Sequence, residues 1–286
     1  MNRFAEEAAK SAGHMLQMAI RALDYVPPVD ITFGEYLRAM ITADYELVKD
    51  DDRRYRVAVI AAFRDWGIYP ADVRSLSVES LLWRPPEADG LQGLGEILGQ
   101  LNFDKWNTNG NRAEAYNAMR RNCAILHEWI ATKLNAEQSH FLGLDLTKDA
   151  AKGIRRNDNG QPVFEVHSLR PCRRIGPDGQ QQTDLVVELV QKRKGFFDAD
   201  VQKKVDEGAK GFEFDKVQAD FYFRGGCTLI IDPSPRRFGT ASASVSPPMN
   251  ACDMNATSGP ATATTTTAIT RSRSCIRADE AGIVSP

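Results

Sequence analysis

Apolar residues recur at helical spacing through the first part of the chain. From Phe4 to Leu23 helix formers predominate, with Met15, Ala19 and Leu23 in one i, i+4 row and Leu16 and Ile20 in the adjacent one. This spacing predicts an amphipathic helix, which Pro27 and Pro28 stop by removing two backbone donors. Thr32-Phe33-Gly34-Glu35 then has the S/T-x-x-E pattern in which two side chains satisfy orphan N–H groups at a new helix start. The second helix carries Tyr36, Leu37, Met40, Ile41 and Leu47 on its apolar face and Asp44 at the polar edge. A third is expected from Arg53 to Trp66, with Val59, Ala62, Phe63 and Trp66 on one stripe, Asp50, Asp51 and Asp52 near its positive end, and Gly67 as its stop. Residues 1–84 therefore read as a helical lobe, and the short link between its second and third helices favours antiparallel packing.

Beyond Trp83 the period lapses. Arg84-Pro85-Pro86 and Gly90, Gly93, Gly95 and Gly99 mark a looser connection with a short helix around Leu94 to Leu101. Asn107-Thr108-Asn109-Gly110 reads as a turn, and Tyr116, Met119, Cys123, Leu126 and Ile130 predict a long helix from Arg112 to Lys133, so residues 85–158 are a linker plus that helix. The pattern then changes to β-branched runs. Val163 to Leu169 and Asp184 to Val190, separated by Gly176-Pro177-Asp178-Gly179, predict a hairpin. Phe212 to Phe214 and Phe221 to Asp232 read as further strands, with Gly225-Gly226 as a bend or bulge. Residues 159–232 are thus a small antiparallel β unit, and the fold class is α+β.

From Pro233 to Pro286 Ser, Thr, Ala and Pro dominate, Thr264 to Thr267 form a run, and neither period is present. Residues 233–286 are expected to be a low-complexity, disordered tail. An alternative is that this tail is translated out of frame: one base back over Met249 to Asn255, the codon table forces Glu opposite each Asn that follows Met, and GC-rich codons would make the segment charged and helix-capable, which the nucleotide sequence tests directly.

The 286 residues, 42% hydrophobic and 26% charged, suffice to bury a core. A formal charge of -2 supplies no field that would make nucleic acid or an anionic membrane the default partner. The longest apolar stretches, around Val57 to Phe63 and Leu185 to Val190, fall short of the ~20 residues that cross a bilayer. The first residues lack a basic end followed by an apolar region, so a cytoplasmic location is expected. Cys123, Cys172, Cys227, Cys252 and Cys275 are widely spaced and never CxxC, in keeping with reduced thiols.

Candidate chemistry is sparse. His127-Glu128 is half of a zincin motif: a second His one turn later would bring both imidazoles to one ion, but that position is Ala131. The pair therefore reads as polar-face residues, and His14, His140 and His167 are isolated. Asp50, Asp51 and Asp52 read as a solvated loop complementing a helix dipole, since the chain lacks the DxDxDG spacing of a cation loop. Glu165, Asp184 and Glu188 on paired strands suggest a nuclease-like carboxylate set, yet Val190 stands where that spacing needs Lys. An enzyme site assembled from His167, Glu165 and Asp184 is the least favoured reading. Arg170, Arg173, Arg174, Lys192, Arg193 and Lys194 lie at the hairpin ends and are expected to form one basic patch: a solvated edge that discourages strand association, with phosphate binding as the alternative. No catalytic, cofactor-binding or metal-binding residue is assigned.

Ala22-Leu23-Asp24-Tyr25-Val26-Pro27-Pro28, Asp30-Ile31-Thr32-Phe33, Ala43-Asp44, Ala61-Ala62-Phe63 and Gly67-Ile68 resemble the C-terminal helical lobe of gluzincin zinc peptidases, the thermolysin-like and fungalysin-like group. With Val166-His167-Ser168-Leu169-Arg170-Pro171 and Gly225-Gly226-Cys227-Thr228-Leu229-Ile230-Ile231-Asp232 included, the chain is similar to large uncharacterised bacterial proteins in which such a region precedes a β-rich portion. The resemblance implies a zinc cofactor in the intact family. Its HExxH motif, third ligand and transition-state His all precede the matched segment, so none carries over. It therefore implies a catalytically incomplete remnant, whose lobe would self-associate unless downstream residues or another chain cover it. A stand-alone interaction or scaffold protein is the alternative.

Overall fold

The computed structural model describes residues 2–29, 31–83, 93–103, 111–150, 153–175, 179, 181–206, 208–209, 217–232 and 244–245. Helices α1 (Asn2–Ala22), α2 (Phe33–Leu47), α3 (Tyr55–Asp65) and α4 (Val78–Leu81) come first. α5 (Leu94–Leu98), α6 (Arg112–Lys133) and α7 (Ala136–Phe141) follow. The strands are β1 (Glu165–Ile175), β2 (Gln181–Gly195), β3 (Phe221–Ile231) and β4 (Ser244–Val245), with α8 (Ala199–Asp206) between β2 and β3. The fold is α+β, with helices in the N-terminal part and an antiparallel sheet of order β1-β2-β3-β4. Among the described residues no helix is long and apolar enough to cross a membrane.

Helix punctuation in the lobe follows local chemistry. Thr32 and Glu35 form a reciprocal capping box, with the Glu35 N–H donating to Thr32 Oγ1 at 3.2 Å and the Thr32 N–H to Glu35 Oε2 at 2.7 Å. α3 is opened by Asp51 alone of the three acids, its carboxylate accepting from the Tyr55 and Arg56 N–H groups at 2.8 and 3.0 Å. It stops at Gly67, whose φ of +72° suits a residue without Cβ. α4, which periodicity missed, is one turn opened by Ser77. It docks on α2 because Arg38 donates to the Leu81 carbonyl at 3.1 Å and stacks over Trp83.

The sheet separates two cores. Successive strand side chains point to opposite faces, so Leu185, Val187 and Leu189 meet Cys123, Leu126 and Ile130 of α6, together with Leu169, Leu229 and Ile231. Val186 and Ile230 point the other way, into a core with Met18, Tyr25, Leu37, Ile41 and Ile60 of the helical lobe. Burial on both faces explains why the middle of β2 is a continuous apolar run instead of an alternating one. The inner face of the lobe is thus covered by the sheet of the same chain.

Some expectations need adjustment. Leu23 lies just past the end of α1 and is exposed, although it shares a row with the packed Met15 and Ala19. Gly225 and Gly226 make no bulge: β3 pairs with β2 in unbroken register there. A Cβ on Gly226 would meet the Leu189 carbonyl oxygen at 1.9 Å, so the glycine serves close strand approach. The register shift lies instead in β1, between Val166 and Ser168. The Asn107 turn, most of the hairpin turn and the Phe212 to Phe214 strand lie outside the described residues. Within the expected disordered tail Ser244 and Val245 pair with β3, and the rest of 233–286 is likewise outside them.

Candidate functional site

The lobe-facing side of the sheet is apolar only at its middle. Around Val186 and Ile230 it presents Arg170, Cys172 and Arg174 from β1, Asp184 and Glu188 from β2, and Thr228 from β3. The turn that Pro27 and Pro28 close lays Asp24, Tyr25 and Val26 across these groups. Asp24 accepts from Arg170 Nη2 at 2.8 Å and from the Cys172 thiol at 3.0 Å. Thr228 Oγ1 donates to the Val26 carbonyl at 2.8 Å. The Tyr25 hydroxyl donates to Glu46 of α2 and accepts from Arg174 Nη1, which is also 3.5 Å from Glu46 Oε2. Arg174 Nη2 pairs with the Asp184 carboxylate.

This seam is nearly dry at its centre: the Arg174 and Asp184 side chains are 6% and 3% exposed. Burial pushes the Asp184 carboxyl up to about 6, with Glu46 and Asp232 adding to the rise and Arg174 opposing it. Burial alone would lower Arg174, but Tyr25, Asp184 and Glu46 together hold it above its ordinary value. Burial, followed by Glu46, drives the Tyr25 phenol upward, so it stays a donor. The Cys172 thiol is pushed up to about 11 by burial and then by its bond to Asp24, which keeps it protonated at neutral pH. The Asp184 carboxyl is too enclosed to meet a substrate. The arrangement can clamp the lobe to the sheet through charge-assisted hydrogen bonds.

A second polar cluster ties the three long lobe helices together. Buried Asp44 of α2 pairs with His14 Nε2 of α1 at 2.9 Å and with Arg56 Nε of α3 at 2.8 Å. The His14 ring stacks on Tyr55, whose hydroxyl is 2.9 Å from Ser11 Oγ. Sequence reading left His14 isolated and Asp44 at a polar edge. A carboxylate one turn beyond Met40 and Ile41 was the available signal that a cation would meet it inside.

The other singled-out residues do not converge. Exposed His127 stacks on Phe164 at 4.3 Å, and Glu128 beside it is exposed. His140 lies 3.5 Å from Asp145, and exposed His167 occupies the β1 register shift. Glu165 pairs with Lys192 at 3.2 Å, while Asp184 sits opposite Cys172, roughly 20 Å along the ladder. His167, Glu165 and Asp184 therefore do not form a common site.

The expected single basic patch is two groups. Antiparallel pairing puts Arg170, Arg173 and Arg174 toward the hairpin turn and Lys192, Arg193 and Lys194 at the far end of β2, roughly 20–40 Å away. Arg193 there pairs with Asp206 at 3.1 Å, and Lys194 donates to the Val217 carbonyl at 3.1 Å.

Among the described residues no group of three or more His, Cys, Asp or Glu side chains is placed to hold a metal ion. No family model, curated protein or solved structure matches the chain.

Proposed function

We propose that this chain supplies the non-ligand helical lobe of a gluzincin-type, metallopeptidase-like protein, joined to a β portion, and does not itself carry the hydrolytic centre. The observation that carries this reading is the order of helix stops and starts on which the likeness rests. α1 closes at Asp24 to Pro28, Thr32-Phe33 opens α2 with its reciprocal cap, and Ala61-Ala62-Phe63 precedes the Gly67 stop. Ala43-Asp44 lies between them, with Asp44 joining all three helices. The proposed setting is a reducing cytoplasm, in keeping with the free thiols of Cys123, Cys172 and Cys227.

A second reading, a stand-alone interaction scaffold, is favoured by one observation: the sheet closes the lobe's core through Val186 and Ile230. Purified chain supplied with zinc should cleave casein no faster than buffer, with or without chelator. Chelator-sensitive cleavage would overturn both readings. DNA upstream of Met1 separates them, since a contiguous HExxH-coding frame supports the first and an unrelated gene the second.

A further inference from the structure

The two faces of the sheet are held unequally. On the α6 side Leu169, Leu185, Val187, Leu189, Leu229 and Ile231 enter one apolar core. On the lobe side Val186 and Ile230 are the only buried strand residues in the other, with Cys172 partly buried beside them. The lobe otherwise packs on itself, through Met18, Leu37, Ile41, Ile60 and Leu81. Parting the lobe from the sheet therefore breaks far less apolar contact than unfolding either part, which makes this seam the plane of easiest local opening.

The rest of the lobe–sheet contact is polar, and its charges do not balance. The antiparallel register sets Asp184 opposite Cys172 of β1. On the other side of β2, Leu185 pairs with Ile231, so Asp184 comes opposite Asp232 just past the end of β3. Glu46 reaches from α2 to within 3.5 Å of Arg174 Nη1, and the same guanidinium pairs with Asp184. The Tyr25 hydroxyl bridges Glu46 and Arg174 without adding charge. Arg21 of α1 is a further cation nearby, but its guanidinium donates to the Ile175 carbonyl at 2.8 Å. Three carboxylates thus gather about one enclosed guanidinium. Like charges opposite one another in a sheet repel, and a poorly hydrated site sharpens the repulsion. Two events relieve it: a proton on Asp184, or entry of water as the lobe lifts.

We propose that the lobe–sheet seam is a proton-operated latch: protonated Asp184 holds the helical lobe on the sheet, and ionised Asp184 lets the lobe lift away as a unit while the α6-side core stays closed. Burial sets the direction. In the closed seam the Asp184 carboxyl is pushed up to about 6 from its ordinary 3.8, and water restores the ordinary value once the seam opens. The closed form holds the proton more tightly, so the latch is fully set below about pH 4 and slackens as the pH rises to about 6. The opening constant grows by on the order of a hundredfold over the whole range, and by about tenfold between pH 5 and 8. Val186, Ile230 and the bond from Thr228 to the Val26 carbonyl keep the closed form the main one throughout.

Three thiols read the two faces separately: Cys172 in the seam, and Cys123 and Cys227 in the α6-side core. The full chain is labelled between pH 5 and 8 with a disulfide reagent that modifies thiols throughout that range. Each rate is divided by that of the urea-unfolded chain at the same pH, and peptide mass mapping assigns the sites. On this scale Cys172 should label about tenfold faster than Cys123 and Cys227, or more, and its rate should rise about tenfold from pH 5 to 8. In Asp184→Asn, which cannot ionise, the rise should vanish and Cys172 should stay slow. Equal protection at all three thiols would mean that the molecule opens only as a whole, and would overturn the proposal. So would a wild-type Cys172 rate indifferent to pH, or one that rises equally in Asp184→Asn. The two wild-type comparisons decide the matter even if the variant fails to fold.

Discussion

The buried carboxyl of Asp184 makes a prediction in which the sign matters more than the size. Its folded-state value of about 6 stands above the ordinary 3.8 because burial, reinforced by Glu46 and Asp232, outweighs the pull of Arg174. At 1.36 kcal/mol per tenfold change, that gap corresponds to about 3 kcal/mol. The folded state holds this proton more tightly than the unfolded chain does. The stabilisation is therefore fully present below about pH 4 and is lost as the pH rises to about 6 and beyond. Asp184→Asn keeps the shape, leaves an oxygen facing Arg174 and cannot ionise. Its stability relative to wild type should climb by up to about 3 kcal/mol between about pH 4 and neutrality, a relative shift of about 6–12 °C in the melting temperature. Urea and thermal unfolding of both proteins across this range measure it, and the difference between them cancels the other titrating groups. If Asp184→Asn instead loses about 3–5 kcal/mol at neutral pH, the Arg174 pairing outweighs burial and the reasoning fails. A difference independent of pH would refute it equally.

Three further perturbations test other parts of the fold. Gly226→Ala places a methyl group 1.9 Å from the Leu189 carbonyl oxygen, a backbone atom that cannot swing away; a loss of about 3 kcal/mol in urea unfolding is expected, and a loss of a few tenths would contradict the close approach of β2 and β3. Thr32→Ala removes one half of the reciprocal cap on α2 and should lower stability by about 1 kcal/mol, whereas Thr32→Ser should retain most of it. Cys172, protonated because its thiol is pushed up to about 11, should resist iodoacetamide at neutral pH in the native protein and react once urea is added. Peptide mass mapping reads this outcome, and rapid native labelling at Cys172 would mean that the seam opens.

Local physics accounts for much of what the amino-acid order determined. The Thr32–Glu35 cap, the Gly67 stop and the Arg112–Lys133 helix are read from neighbours within about a turn, and the folded protein retains each. Strand extents were less legible. β1 and β2 reach well past the apolar runs, because Arg170, Arg174 and Gln191 find partners across the sheet faces that make polar strand ends stable. The polar seam was illegible for the same reason. Asp24, Glu46, Arg174 and Asp184 are scattered in the sequence, and only the laying of the α1–α2 turn over the sheet makes them neighbours. Periodicity gave α1 two apolar rows without ranking them. The tertiary structure decided that the Met15–Met18 side packs inward and the Leu16–Ile20 side stays exposed. Helix and strand periods are fixed by a residue's own backbone geometry, whereas the choice of buried face depends on surfaces that the chain supplies later, for α1 chiefly α2 and α3, to which Ala19, His14 and Ser11 are joined through Tyr36, Asp44 and Tyr55.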